Sequence, residues 1–188
     1  GLVAVIAAQL SRCPSIVHVH GSDLVVANAR FRRWLARLVL RLADVRLAVG
    51  NELAKECRAI CDADIQVVSM PLNFAALPVP SSIPTDGCLL AVGRLVPEKG
   101  FDVLLDAVAL MNCDERPELV IIGSGPEQHN LSKHARKLGV GLRLEGAVSP
   151  EELGQWYRRA SVVVVPSLRE GFGLVAAEAA ASGRAVVA

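Results

Sequence analysis

Ser161-Val162-Val163-Val164-Val165 runs into Pro166-Ser167-Leu168-Arg169-Glu170-Gly171-Phe172-Gly173, and that into Leu174-Val175-Ala176-Ala177-Glu178-Ala179-Ala180-Ala181-Ser182. The first run is apolar without alternation, as a strand covered on both faces requires. The last is a helical pattern, after which Arg184–Val187 returns as a second apolar strand. Strand, glycine-bearing loop, helix and strand make a βαβ unit, so the sheet is parallel and its crossovers right-handed. Backbone N–H groups at the helix start form an anion site, and the loop glycines let a phosphate approach closely. Glu170 and Glu178 flank this start; their spacing suits one carboxylate on a sugar and the other on a second polyol such as ribose. A loop glutamate and a helical glutamate without function fit the same spacing equally well.

The pattern extends in both directions. Further strands are expected at Ile16–His20, Arg46–Val49, Ile65–Ser69, Cys88–Val92, Leu119–Ile122 and Leu142–Glu145, with helices at Phe31–Ala43, Glu52–Ile60, Phe101–Met111, Glu127–Leu138 and Glu151–Arg159. Ser149-Pro150-Glu151-Glu152 supplies an N-cap serine, a proline at the first helical position and a glutamate for a capping box. The alternation lapses once. Residues 78–87 hold three prolines and no periodicity, which predicts a linker between a domain at 1–77 and another at 88–188. Charge supports the division: residues 1–78 carry nine Lys/Arg against six Asp/Glu, and residues 79–188 carry eleven against thirteen. The sequence opens without Met inside an apolar helix-like run and closes on an apolar strand, so a piece of a longer protein is expected.

Composition narrows the function. With 188 residues, 52% hydrophobic and 21% charged, the chain can bury a sizeable core and is neither disordered nor collagen-like. Aromatics at 4% and a net charge of +1 argue against a nucleic-acid binder built on stacking. Five scattered cysteines are odd in number and lack zinc-ligand or redox spacing, so buried free thiols in a reducing compartment are expected.

Four clusters could carry chemistry. Gly171, Gly173 and Ala176 satisfy a dinucleotide fingerprint, but Pro166–Glu170 intervene between them and the strand. Gly123-Ser124-Gly125 fails the same fingerprint because Gln128 occupies its third glycine position. In Val92-Gly93-Arg94-Leu95-Val96-Pro97-Glu98-Lys99-Gly100 a strand delivers Arg94 at its carboxyl end and a short turn brings Lys99 back to the same side. Two cations there match a diphosphate, and equally a solvated pair beside Glu98. His18 and His20 share one side of a strand, but no further ligand set accompanies them, so metal is not the reading. His20 is the better functional candidate. Arg30, Arg33, Arg37 and Arg41 recur at helical spacing opposite Phe31, Trp34, Leu35, Leu38 and Leu42. That face suits an anionic membrane or an acidic acceptor, with a plain solvated face as the simpler reading.

Taken in register, these segments resemble a retaining glycosyltransferase of the large family 4, with the two Rossmann-like parallel-sheet domains called GT-B. The matching segments are Val19-His20-Gly21-Ser22-Asp23, Leu42-Ala43-Asp44-Val45, Gly93–Gly100, Ile122-Gly123-Ser124-Gly125-Pro126, Leu144-Glu145-Gly146-Ala147-Val148, and Pro166–Gly173 through to Glu178. Met70–Leu77 departs from the turn such enzymes usually carry there. The resemblance implies an α/β chain whose first domain is incomplete and whose second lacks its last elements. It implies transfer of a hexose from a nucleotide-diphosphate sugar to a saccharide, lipid or small-molecule hydroxyl, with no metal or cofactor. Arg94 and Lys99 would hold the diphosphate and neutralise its developing charge, beside Gly93. Glu170, with Gly171, Phe172 and Gly173, would face the sugar, and Leu174 the phosphates. Glu178 would take the ribose, Val148 would lie near the base, and His20 would close over the donor sugar. A same-fold sugar-nucleotide epimerase, a non-catalytic paralogue and a nicotinamide dehydrogenase are the alternatives. The expected setting is the cytoplasm, at the inner face of the membrane if the arginine helix engages lipid.

Overall fold

The computed structural model describes residues 1–20, 30–72, 77–78, 80, 82–112 and 116–188. The expectations placed on Gly21–Asp23, on the turn at 73–76, on Val79, Ser81 and Cys113 lie outside the described residues. The chain divides into two compact units, Gly1–Pro71 with Glu170–Phe172, and Leu72–Arg169 with Gly173–Ala188.

The first unit runs α1 (Leu2–Leu10), β1 (Ile16–Val19), α2 (Arg30–Leu42), β2 (Val45–Ala48), α3 (Asn51–Ile60) and β3 (Gln66–Val67). Its three strands are parallel in the order β1-β2-β3, with Ile16 opposite Val45 and Leu47 opposite Gln66. Val19, Ala48, Val49, Leu53, Ala54 and Cys57 form its core with Leu40. The strand expected over Ile65–Ser69 shortens to two residues. Both are exposed at the end of the sheet, and Pro71, which has no N–H to donate, soon follows. Asp44 holds two elements together. Its carboxylate accepts the Ser15 N–H and hydroxyl, each at 2.8 Å, pinning the entry of β1 to that of β2. These bonds hold its carboxyl below the usual aspartate range.

The second unit runs β4 (Cys88–Val92), a 3-10 turn (Pro97–Lys99), α4 (Phe101–Ala109), β5 (Leu119–Ile122), α5 (Gln128–Leu138), β6 (Leu142–Gly146), α6 (Pro150–Arg159), β7 (Ala160–Val164), α7 (Leu174–Ala181) and β8 (Ala185–Val187). All five strands are parallel in the order β6-β5-β4-β7-β8. Alternate strand residues feed two cores. Ala91, Leu119 and Ile121 pack with Phe101, Leu104, Leu105 and Leu131 of α4 and α5, while Leu90, Val120 and Val163 pack with Trp156, Tyr157 and Ala179 of α6 and α7. The sheet is therefore doubly wound, and β5, buried on both faces, shows no polar alternation. Each such aliphatic side chain contributes roughly 1.5–3 kcal/mol by leaving water.

The Ser149 capping box forms as expected, with Glu152 N–H on the serine hydroxyl at 3.2 Å and Ser149 N–H on the Glu152 carboxylate at 2.8 Å. Helix α4 ends at Ala109, two residues earlier than expected: Leu110 and Met111 turn to i→i+3 bonds on Ala107 and Val108, and Arg116 donates to the carbonyls of Ala109 and Met111. The proline-rich stretch is held by the second unit: Arg184 donates to Ser82 O at 3.2 Å, and the Ser161 hydroxyl to Pro84 O at 2.8 Å. Among the described residues no helix is long and apolar enough to cross a membrane.

Candidate functional site

From β4 the chain moves outward through β5 to β6, then returns to the other side of β4 for β7 and β8. The strand order thus reverses between β4 and β7, which pair directly, Leu90 opposite Val163. At such a switch point the loops leaving the carboxyl ends of neighbouring strands diverge to opposite faces and open a crevice for ligand. The loop after β4 bears Gly93, Arg94 and Lys99; the connection after β7 leads to Gly173, Leu174 and Glu178; Val148 follows β6. The second unit thus brings seven of the expected donor-binding residues to the carboxyl edge of one sheet. Glu170, Gly171, Phe172 and His20 fall in the other unit.

The β4 loop is built rigidly. Pro97–Lys99 form one 3-10 turn, and Gly100 follows in the left-handed region at φ 62°. A Cβ on Gly100 would sit 2.2 Å from the Pro166 carbonyl oxygen, so only glycine admits this approach. Leu168 N–H donates to Glu98 O at 3.0 Å, joining the Lys99 turn to the loop after β7. The Cδ and Cε of Lys99 lie 3.6 and 3.7 Å from where a Gly93 Cβ would be, which lays the lysine stem back over the end of β4. Arg94 is exposed and Lys99 half-buried.

Gly123-Ser124-Gly125, which fails as a dinucleotide fingerprint, instead ties the strand ends together. Gly93 N–H donates to Ile122 O at 2.9 Å, Gly123 N–H to Gly146 O at 2.7 Å, and Leu95 N–H to Ser124 O at 2.9 Å. The loops after β4, β5 and β6 interlock at these bonds. Gly123 has φ 143°, and a Cβ there would meet Gly93 O at 1.9 Å. The sequence signal is present in the two glycines, but their partner is backbone far along the chain.

Helix α7 starts after Gly173, which takes φ 77°, and presents Leu174 at its first position. One turn on, half-buried Glu178 accepts the Tyr157 hydroxyl at 2.9 Å. Tyr157 is fully buried, and that burial, with the adjacent Glu178 charge, pushes its own ionisation well upward, so it stays a donor. No sequence signal marks this pair.

In the first unit His20 is exposed at the end of β1, and its ring centroid lies 4.4 Å from that of His18. The His18 Nε2 is buried without a hydrogen bond among the described residues. Among the described residues no group of three or more His, Cys, Asp or Glu could hold a metal ion. Arg30, Arg33, Arg37 and Arg41 are exposed on α2, as are Phe31 (67%) and Trp34 (56%), whose rings stack with centroids 6.0 Å apart. The four described cysteines are free; Cys57, Cys61 and Cys88 are buried as expected but Cys13 is exposed, and burial raises the Cys57 thiol to about 11.

The sequence model of glycosyl transferases group 1 matches residues 77–188, more than half the chain. The chain belongs to this family. The group 1 match covers all of β4 to β8, the doubly wound unit whose switch point carries the Arg94–Lys99 loop and the helix of Glu178. Among curated relatives, the D-inositol 3-phosphate glycosyltransferase of Streptomyces scabiei is 38% identical over 176 residues, covering 80% of this chain and 39% of that protein. Its counterpart in Streptomyces avermitilis is 43% identical over 120 residues, covering 56% and 26%. The chain therefore spans well under half the length of these curated relatives. Among solved structures, sucrose-phosphate synthase from Thermosynechococcus elongatus superposes with a TM-score of 0.80 at 23% identity, covering 96% of this chain and 52% of that one. Anabaena HepE, solved with UDP and glucose, gives 0.83 at 21% identity, covering 99% and 55%. These likenesses establish the GT-B type of fold, Rossmann-like in its parallel sheets and incomplete here.

Proposed function

We propose that this group 1 chain carries the donor site of a retaining, family 4 hexosyltransferase, which moves a hexose from a nucleotide-diphosphate sugar to a saccharide, lipid or small-molecule hydroxyl. One observation carries the reading: at the β4/β7 switch point the loop after β4 bears the paired cations, and the connection after β7 leads into the helix with the ribose-suited carboxylate. The names of the Streptomyces relatives support glycosyl transfer, and the UDP and glucose bound to Anabaena HepE support a nucleotide-hexose donor.

In this reading Arg94 and Lys99 grip the diphosphate, the first as a planar fork and the second as a point charge. Both neutralise charge as the leaving group departs, which is where electrostatic catalysis has most effect. Glu178 accepts the ribose hydroxyls, Leu174 and Gly173 line the phosphates at the start of α7, and Val148 borders the base. Glu170, with Gly171 and Phe172, is assigned to the transferred sugar, and so is His20. The working domains are 1–77 and 88–188 with 78–87 as linker; the compact units part earlier, after Pro71, and the proline-rich stretch stays with the second unit. The setting is cytoplasmic. There α2 meets the anionic inner face of the membrane through Arg30, Arg33, Arg37 and Arg41, with the exposed Phe31–Trp34 pair at the headgroup level. In flotation with phosphatidylglycerol vesicles, the intact protein should bind at low salt and lose binding when the four arginines become glutamine. Equal binding by that variant would remove α2 from the interface.

Nucleotide binding by the intact protein tests the donor assignment. A nucleoside diphosphate should bind and NAD should not; binding of NAD alone would point to a dehydrogenase.

A further inference from the structure

Tyr157 lies 21 residues before Glu178, on α6, and its side chain is wholly buried in the core that joins α6 and α7 to the sheet. Its ring packs among apolar neighbours, but its hydroxyl donates at 2.9 Å to Glu178 Oε2. The rotatable carboxylate of Glu178 is thereby fixed at one oxygen from the protein side, which leaves the other oxygen's orientation determined. A carboxylate that must accept from two vicinal hydroxyls needs such fixing, because a misplaced acceptor forfeits most of a charge-assisted hydrogen bond. The donor is permanent, since burial and the neighbouring negative charge keep the phenol protonated.

We infer that Tyr157 is a positioning residue for nucleotide recognition: it acts through Glu178 to aim that carboxylate at the ribose, resting on the reading of Glu178 as the ribose ligand. Tyr157 does not itself touch the donor.

The experiment is titration of the intact protein with UDP, GDP and ADP, then with the 2′-deoxy form of whichever binds. Tyr157→Phe keeps the ring in its slot and removes only the donor. It is expected to weaken diphosphate binding about tenfold and to reduce the preference over the 2′-deoxy analogue by a similar factor. Glu178→Gln should reduce the same preference, and Tyr157→Phe added to Glu178→Ala, which leaves the phenol no acceptor to aim, should change nothing further, as residues acting in series require. A purely structural tyrosine would shift the unfolding midpoint but leave the ribose preference intact, and that result would overturn the inference. So would a Tyr157→Phe protein that failed to fold, because the hydroxyl would then be an anchor of the core. If Glu178→Gln left the ribose preference unchanged, the ribose reading itself would fall. If Glu178→Gln reduced it and Tyr157→Phe did not, only the positioning role would.

Discussion

Lys99→Ala is expected to lower kcat of the intact protein by about two to three orders of magnitude, the size of effect found when one preorganised charge is removed from a developing oxyanion. The lysine stem lies over Gly93 and its turn is tied to Leu168, so the ammonium is held rather than free to wander. In the proposed reading, fixing it in advance lets its charge stabilise the transition state more than the ground state. Loss of the side chain leaves the turn itself intact, since backbone bonds from Lys99 N–H to Val96 O and from Gly100 N–H to Pro97 O remain. Affinity for the sugar nucleotide should therefore fall less than turnover. Lys99→Arg should recover only part of the rate, because a planar fork does not sit where a compact ammonium does. Unchanged kcat in Lys99→Ala would remove this residue from the mechanism.

Gly123→Ala is the second large effect, and it concerns stability. The new Cβ would lie 1.9 Å from Gly93 O and 2.9 Å from Gly93 C, both backbone atoms that cannot rotate away. Moving them would break the Gly93–Ile122 and Gly123–Gly146 bonds that interlock three loops. A destabilisation of about 3 to 5 kcal/mol follows, comparable with the whole margin of a small domain. Gly139→Ala is the matched control: it too has a left-handed backbone, at φ 65°, but no atom lies within 4 Å of its Cβ position. There only the backbone term of about 1–2 kcal/mol applies. Urea unfolding midpoints of the two variants check the contrast, and equal midpoints would contradict it.

The contrast between those glycines also marks how far the sequence can be read. Strands buried on both faces, such as Leu119–Ile122, announce themselves by composition, and the Ser149 capping box by local spacing. The Arg94–Lys99 and Glu170–Glu178 clusters are legible because a strand end, a glycine and a charge sit close together in sequence. What escapes depends on contacts that follow no helical or strand spacing, most of them across long stretches of chain. Gly123 approaches Gly93, Arg116 caps α4, Ser15 meets Asp44, and Tyr157 donates to Glu178, each a pairing that no local period encodes. The short β3 is overestimated for the opposite reason: apolar residues at an exposed sheet edge look, in sequence, like those inside one.

A donor site at the β4/β7 switch point is best tested by calorimetric titration of the intact protein, wild type and Glu178→Ala, with UDP, GDP, ADP and NAD in parallel. A nucleoside diphosphate should bind the wild type, Glu178→Ala should weaken it by about tenfold or more, and NAD should give no heat. A folded protein that bound NAD alone, or bound its diphosphate equally well without Glu178, would contradict the donor site.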